Sequence, residues 1–327
     1  MRPSVDWLVR ACRPAVPWVL CAGLMAAAIA PALAPPLPEA APTIPADQEP
    51  ISPLPAPPAA DPRVLALGES LFADPRLSAG GERSCASCHD IRTNGADGRV
   101  RSSVPTGSDL LFNTPTVFNA ALSYRLGWEG KFRTLEEQAE ASLESPEIMG
   151  ARVDEVVVRI RKDADLTRQF RSAFGRDPNR ADLLDALATY ERSLLTSDSL
   201  FDRWLRGDTS ALSAEELSGY ETFKSLGCVS CHQGVNVGAN LKQRLGVFRP
   251  VSAHRPEILR VPSLRNVATT SPYFHDGSAA TLHEAVRRMA KSQLNRTLLD
   301  EQIDRLVAFL RTLTGTYQGK PLRPATP

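Results

Sequence analysis

Apolar residues in the second half of the chain recur with a helical period. Leu183, Leu184, Leu187, Tyr190, Leu194 and Leu195 form one stripe between Arg180 and Leu195. The pattern returns between Leu298 and Leu313 at Ile303, Leu306, Val307, Leu310 and Leu313, with Gly315 as its stop signal. Thr134-Leu135-Glu136-Glu137 and Ser213-Ala214-Glu215-Glu216 have capping-box form, because a hydroxyl and a carboxylate three residues apart satisfy free N–H groups at a helix start. Thr281-Leu282-His283-Glu284 opens a further helix that carries Ala285, Val286 and Met289. Period-two alternation is scarce. The pattern predicts a mainly α chain with long loops.

The N-terminal segment follows different rules. Arg2, Arg10 and Arg13 precede an uncharged stretch from Pro14 to Ala34 that ends in Ala32-Leu33-Ala34. A basic flank, an apolar centre and a small-residue exit read as a signal peptide over residues 1–34. The alternative is an uncleaved membrane anchor, since 21 uncharged residues are long enough to span, although Pro17 and Pro31 suit such a helix poorly. Cys21 follows Trp18-Val19-Leu20, without the small residues of a lipoprotein signal. Either way the body is exported, and a periplasmic location is expected. Residues 35–62 hold 11 prolines, which remove ladder donors and predict an extended spacer.

Composition narrows the class. The 327 residues are 43% hydrophobic and 23% charged, which excludes a disordered chain and a multispanning membrane protein. Lys+Arg 38 against Asp+Glu 37 leaves no basic surplus for nucleic acid. The length suits about two domains at ~100–200 residues each.

Chemistry enters with the cysteines. Four remain after the signal, as Cys85-Ala86-Ser87-Cys88-His89 and Cys228-Val229-Ser230-Cys231-His232. C-x-x-C-H is the pattern of c-type haem attachment. Two thiols add across the vinyl groups of one porphyrin, and the adjoining imidazole becomes the proximal iron ligand. Two disulfides, a four-cysteine zinc site or a thioredoxin-like redox pair would also use these cysteines. None of the three explains a histidine after both pairs. Two covalent haems are expected, 143 residues apart and each in its own domain.

The remaining iron ligands decide between electron carriage and catalysis, because an open face binds a small oxidant. No His, Met or Cys lies between His89 and Trp128, where Tyr124 is the one plausible ligand. The spare histidines, His254, His275 and His283, all lie towards the C-terminus. The first haem is therefore expected to be five-coordinate or water-bound. The only methionines beyond the signal are Met149 and Met289. Met289 is the candidate sixth ligand of the second haem, with core packing as the competing reading. His254 and His283 are expected to be solvated.

Several stretches in order resemble the bacterial di-haem cytochrome c peroxidase and MauG superfamily. They are LGESLFADPRL from Leu67, NTPTVFNAA from Asn113, Trp128-Glu129-Gly130, TLEEQA from Thr134, VPSLRNV from Val261, PYFHDG from Pro272 and LRTLTG from Leu310. The resemblance covers roughly residues 64–316. It implies two cytochrome c-like haem domains facing each other across an interface, assigned here to residues 63–197 and 198–316, with a tail over 317–327. It also implies that the N-terminal haem reacts with peroxide and the C-terminal haem transfers electrons. By the same resemblance Trp128 relays electrons between them. Asn113 would bind an inter-domain Ca²⁺ through its side chain, with Thr270 and Pro272 as carbonyl donors, and oxygen ligands suit that ion. Met289 falls on the methionine ligand of the peroxidases, where MauG-type members carry tyrosine.

Two departures stand out. The family's displaceable histidine has no counterpart near Pro105-Thr106-Gly107, which favours a first haem already open. Where the family reads N-P-x-E-M-G, this chain reads Ser145-Pro146-Glu147-Ile148-Met149-Gly150, so the distal acid has moved back one place. Glu147 remains the expected acid–base group, accompanied by Gln138. The expected activity is reduction of hydrogen peroxide with electrons from a small cytochrome c or cupredoxin. A MauG- or MbnH-like enzyme oxidising Trp or Tyr of a partner protein is one alternative, and a non-catalytic di-haem electron carrier is the other. A homodimer is implied by the resemblance alone.

Overall fold

The computed structural model describes residues 48–103, 109–252 and 256–325. The signal or anchor segment, the start of the Pro-rich tract, the Pro105–Gly107 loop and His254 lie outside the described residues. The fold is mainly helical. No helix among the described residues is long and apolar enough to cross a membrane.

Two hydrophobic cores organise the chain. The first gathers α1 (Pro62–Phe72), α2 (Leu135–Glu144), α3 (Val153–Arg161), α4 (Ala164–Phe174) and α5 (Arg180–Ser193) around Leu67, Leu71, Val156, Ile160, Phe170, Leu183 and Leu187. The second gathers α6 (Leu200–Leu205), α7 (Ala214–Ser225), α8 (Leu282–Leu294) and α9 (Asp300–Thr312) around Phe201, Tyr220, Phe223, Ile303, Val307 and Phe309. Burying these stripes supplies most of the stability of such short helices. The helix starts follow the capping chemistry of the sequence. Thr134 accepts from Glu137 N–H, Thr281 from Glu284 N–H, and Ser213 forms a reciprocal box with Glu216.

Each core is closed by one tight helix crossing. A Cβ on Gly68 of α1 would stand 2.1 Å from the Ala186 carbonyl of α5, and one on Gly219 of α7 would stand 2.0 Å from the Arg305 carbonyl of α9. Only glycine lets these backbones meet. Gly315, expected as the α9 stop, has another role. The helix ends at Thr312 with Leu313 still right-handed, and Gly315 donates to Asn266 Oδ1 at 3.0 Å while packing against the Ser197 carbonyl.

Strands are few and short. Lys242–Arg244 (β1) pairs antiparallel with Ile258–Arg260 (β2), with Lys242 opposite Arg260. Thr316–Tyr317 (β3) pairs with Lys320–Pro321 (β4). That hairpin turns the C-terminal tail back, so that Leu322 is buried in the first core and Tyr317 packs 5.0 Å from Phe118.

Among the described residues of the Pro-rich tract, those from Pro50 to Leu54 dock on the body instead of standing clear as a spacer. Ile51 is fully buried in the second core. Pro50 O accepts from Gly234 N–H at 2.8 Å, Ser52 O from Arg265 Nη2 at 2.9 Å and Leu54 O from Arg206 Nη2 at 2.6 Å. Carbonyls need no N–H of their own to be bound, so a proline-rich segment docks wherever arginines meet them.

Candidate functional site: two C-x-x-C-H turns and the junction between them

Both cysteine motifs fold identically. Each begins a 3-10 turn, Cys85–Ser87 and Cys228–Ser230. His89 N–H donates to Cys85 O at 2.9 Å, and His232 N–H donates to Cys228 O at 3.0 Å. One turn therefore brings two thiols and an imidazole together from five consecutive residues, as attachment to one porphyrin requires.

The donor set fits haem and fits its rivals poorly. All four cysteines are free thiols, so neither pair is a disulfide. Among the described residues no three His, Cys, Asp or Glu side chains gather as a metal site, which removes the four-cysteine zinc reading. Burial pushes the Cys85 thiol up to about 12, with Glu191 adding to it, and the Cys228 thiol up to about 11. Reactive redox cysteines are shifted the other way. Burial also lowers both histidines, His232 to about 4, and the neutral imidazole is the form that binds iron. His89 Nδ1 lies 3.1 Å from the Gly95 carbonyl. A proton held there leaves Nε2 as the ligand atom. His232 Nδ1 is buried without a hydrogen bond of normal geometry, facing the backbone of Val237 and Pro262.

The two halves repeat further. His89 is faced by the backbone of Gly95 and Pro115, as His232 is by Val237 and Pro262. Four residues after each proline stands a left-handed asparagine, Asn119 and Asn266, that starts a 3-10 turn. The two asparagines are joined through Thr196, whose Oγ1 accepts from Asn119 Nδ2 at 2.8 Å and from Asn266 Nδ2 at 3.0 Å. The signal, Pro-x-x-x-Asn in both VPSLRNV and NTPTVFNAA, is present in the sequence and is easily passed over because the intervening residues differ.

Trp128 sits where the halves meet. Its Nε1 donates to the Asn113 carbonyl at 2.7 Å, and its own carbonyl accepts from Arg260 N–H at 2.8 Å. Asn113 and Arg260 hold equivalent places, each two residues before the repeated proline. His275, remote from Trp128 in sequence, is buried beside it with ring centroids 6.4 Å apart, and its carbonyl accepts from Asn113 N–H at 2.7 Å. Asn113 Nδ2 donates to Arg99 O at 2.7 Å. Asn94 on the same side donates to Thr269 O, next to Thr270 and the cis Ser271–Pro272 bond.

The other candidates are more peripheral. Glu147 is exposed on the loop after α2, and Gln138 is half-buried on α2 with Nε2 donating to Ser142 Oγ at 2.8 Å. Met289 is half-buried on α8. His283 is partly exposed and paired with Asp304 at 3.3 Å. Tyr124 is exposed, with the Arg125 guanidinium over its ring at 5.4 Å.

Comparison with known proteins decides the family. Residues 62–210 match the family described as di-haem cytochrome c peroxidase, and residues 217–314 match cytochrome c. The cytochrome c551 peroxidase of Nitrosomonas europaea is 38% identical over 83% of this chain and 85% of its own length. The chain belongs to the di-haem cytochrome c peroxidase family. It is an oxidoreductase with the di-haem cytochrome c architecture of that family. The methylamine utilization protein MauG of Methylorubrum extorquens is 34% identical over 77% of this chain and 78% of its own length. A solved MauG-like protein associated with microbial copper homeostasis superposes with a TM-score of 0.70 at 27% identity, over 80% of this chain and 93% of that one.

Proposed function

We propose that this di-haem enzyme reduces hydrogen peroxide to water with electrons from a small periplasmic cytochrome c or cupredoxin. When bound, the two haems supply one-electron redox chemistry and an iron at which a peroxide O–O bond can be cleaved. Cys85, Cys88 and His89 would hold the first, at which peroxide would react. Cys228, Cys231 and His232 would hold the second, with Met289 as a further ligand. Glu147 takes a proton from one peroxide oxygen and returns it to the other, which leaves as water, as acid–base catalysis requires. Gln138 orients that exchange. Trp128 carries electrons between the halves. The observation that carries this reading is the bonding of Trp128 to both: its indole is held by Asn113 and its backbone by Arg260.

Asn113, Thr270 and Pro272 would hold one Ca²⁺ behind Trp128. With Nδ2 committed to Arg99, the Asn113 amide presents Oδ1, a hard oxygen of the kind calcium takes.

A second reading, prompted by the likeness to MauG and MauG-like proteins, is oxidation of Trp or Tyr in a partner protein. Peroxide added to the ferric holoprotein separates the two. Rapid, repeated turnover with a reduced small cytochrome c is the expected result. An oxidised state that persists with that donor and is discharged only by one protein establishes the second reading. A ferric protein with no high-spin electron paramagnetic resonance signal would overturn both and leave an electron carrier. Replacing Met289 with Ala should lower the second haem's potential and open it to exogenous ligands.

A further inference from the structure

Two buried arginines in the C-terminal half are treated very differently. Arg265 is 1% exposed and fully partnered, with Nη1 on Asp202 at 2.8 Å, Nη2 on Ser52 O at 2.9 Å and Nε on Val235 O at 3.0 Å. Arg260, at the end of β2, is 9% exposed. Its Nε donates to Gly127 O at 3.0 Å, and no carboxylate among the described residues pairs with it. Neither of its Nη atoms donates to a described residue.

Holding a largely buried guanidinium without an anion is unfavourable. Burial alone lowers Arg260 to about 10, so it remains a cation at neutral pH. The residue also stands at a particular place, with its backbone on Trp128 and its side chain on Gly127. A charge kept there needs a carboxylate, and the described residues supply none. Each haem brings two propionates.

We propose that the Arg260 guanidinium is the counter-charge of a haem propionate at the Trp128 junction. The assignment rests on the di-haem reading of the chain. A planar fork whose Nη atoms bond to no described residue suits a carboxylate better than a lysine would. A cation beside a haem favours the reduced state, so Arg260 raises the potential of the haem it pairs with. The same residue fixes the Trp128 backbone, which couples the charge to the relay.

The test is spectroelectrochemical titration of the holoprotein and its Arg260→Gln and Arg260→Lys variants, following each haem separately. Resonance Raman spectra of the propionate bending bands are recorded alongside. Arg260→Gln should lower the midpoint of one haem and leave the other, and the propionate band of the same haem should move. Arg260→Lys should restore most of the midpoint but not the band. The haem that responds identifies whose propionate is held. Two unchanged midpoints with unchanged bands in Arg260→Gln would overturn the assignment. So would equal falls in Gln and Lys, which would make the role one of packing. If the Gln variant does not fold, an unmoved propionate band in Arg260→Lys overturns it alone. A haem count below two per chain in the parent would instead overturn the di-haem reading.

Discussion

The Trp128 carbonyl accepts from Arg260 N–H at 2.8 Å, while the indole of the same residue donates to Asn113 O at 2.7 Å. One residue is thus held from both halves, by its side chain and by its backbone, with His275 packed at the ring's edge. Replacing Trp128 with Phe keeps an aromatic ring and removes the indole donor. Leaving the buried Asn113 carbonyl unpaired should cost about 1–3 kcal/mol of stability. If Trp128 is the relay, peroxide turnover should fall by more than about tenfold, or ~1.4 kcal/mol in barrier. Steady-state kinetics with a reduced cytochrome donor checks this. Turnover within twofold of the parent, with both haem spectra intact, would exclude the relay.

Glu147 stands on a short, firmly anchored loop. Ser145 O accepts from Ile148 N–H at 3.0 Å and Gly150 N–H at 2.8 Å, and the carbonyl of buried Met149 accepts from Ala79 N–H at 2.9 Å. The carboxylate is exposed, yet the loop that carries it is fixed against the first half. Glu147→Gln should slow the peroxide reaction by about 10²–10⁴ if this group moves the proton. Adding Ile148→Glu to that variant should recover part of the loss, since the carboxylate returns to the place that the family pattern gives it. Stopped-flow mixing with peroxide reads both. A Gln variant as fast as the parent would assign the proton transfer elsewhere.

The second core depends on one buried ion pair. Asp202 accepts from Arg265 Nη1 at 2.8 Å and from Leu54 N–H at 3.1 Å, and it is fully enclosed. Asp202→Ala leaves Arg265 charged and unpaired, so about 3–5 kcal/mol of stability should be lost. The docked segment around Ile51 should become protease-sensitive at the same time. Urea unfolding and limited proteolysis measure the two effects. A loss below ~1 kcal/mol would place the pair among ordinary surface bridges.

The helices and the haem attachment turns were legible because both are written locally. Capping residues lie three apart, and C-x-x-C-H occupies five consecutive positions. The Trp128 junction was legible only through the family resemblance, since Asn113, Trp128, Arg260 and His275 meet by folding. The same distance misdirected the reading of His275, which was grouped with residues remote from the first motif yet packs beside Trp128. Proline count misdirected the reading of residues 49–54. Composition says that such a segment forms no ladder, but it is silent on the arginine donors, Arg206 and Arg265, that capture its carbonyls.

Glu191 was not singled out in the sequence, because a glutamate late in an amphipathic helix reads as a solvated face. It is instead buried near the first attachment turn. Its carboxyl is pushed up to about 7 by burial and by Glu136, against the opposing pull of Arg192. The folded state therefore holds a proton that the unfolded chain releases near its ordinary value of 4.5. Between those two values the native state binds more protons, so stability is full below about pH 4.5 and falls as pH rises towards 7. At ~1.4 kcal/mol per unit, the loss is at most about 3 kcal/mol. Glu191→Gln keeps the shape and removes the charge. Its unfolding free energy should match the parent's at about pH 4.5 and exceed it by up to about 3 kcal/mol at about pH 8. Denaturant titrations at both values decide the matter: two stability profiles running parallel across that window would mean that the carboxyl titrates alike in folded and unfolded chains.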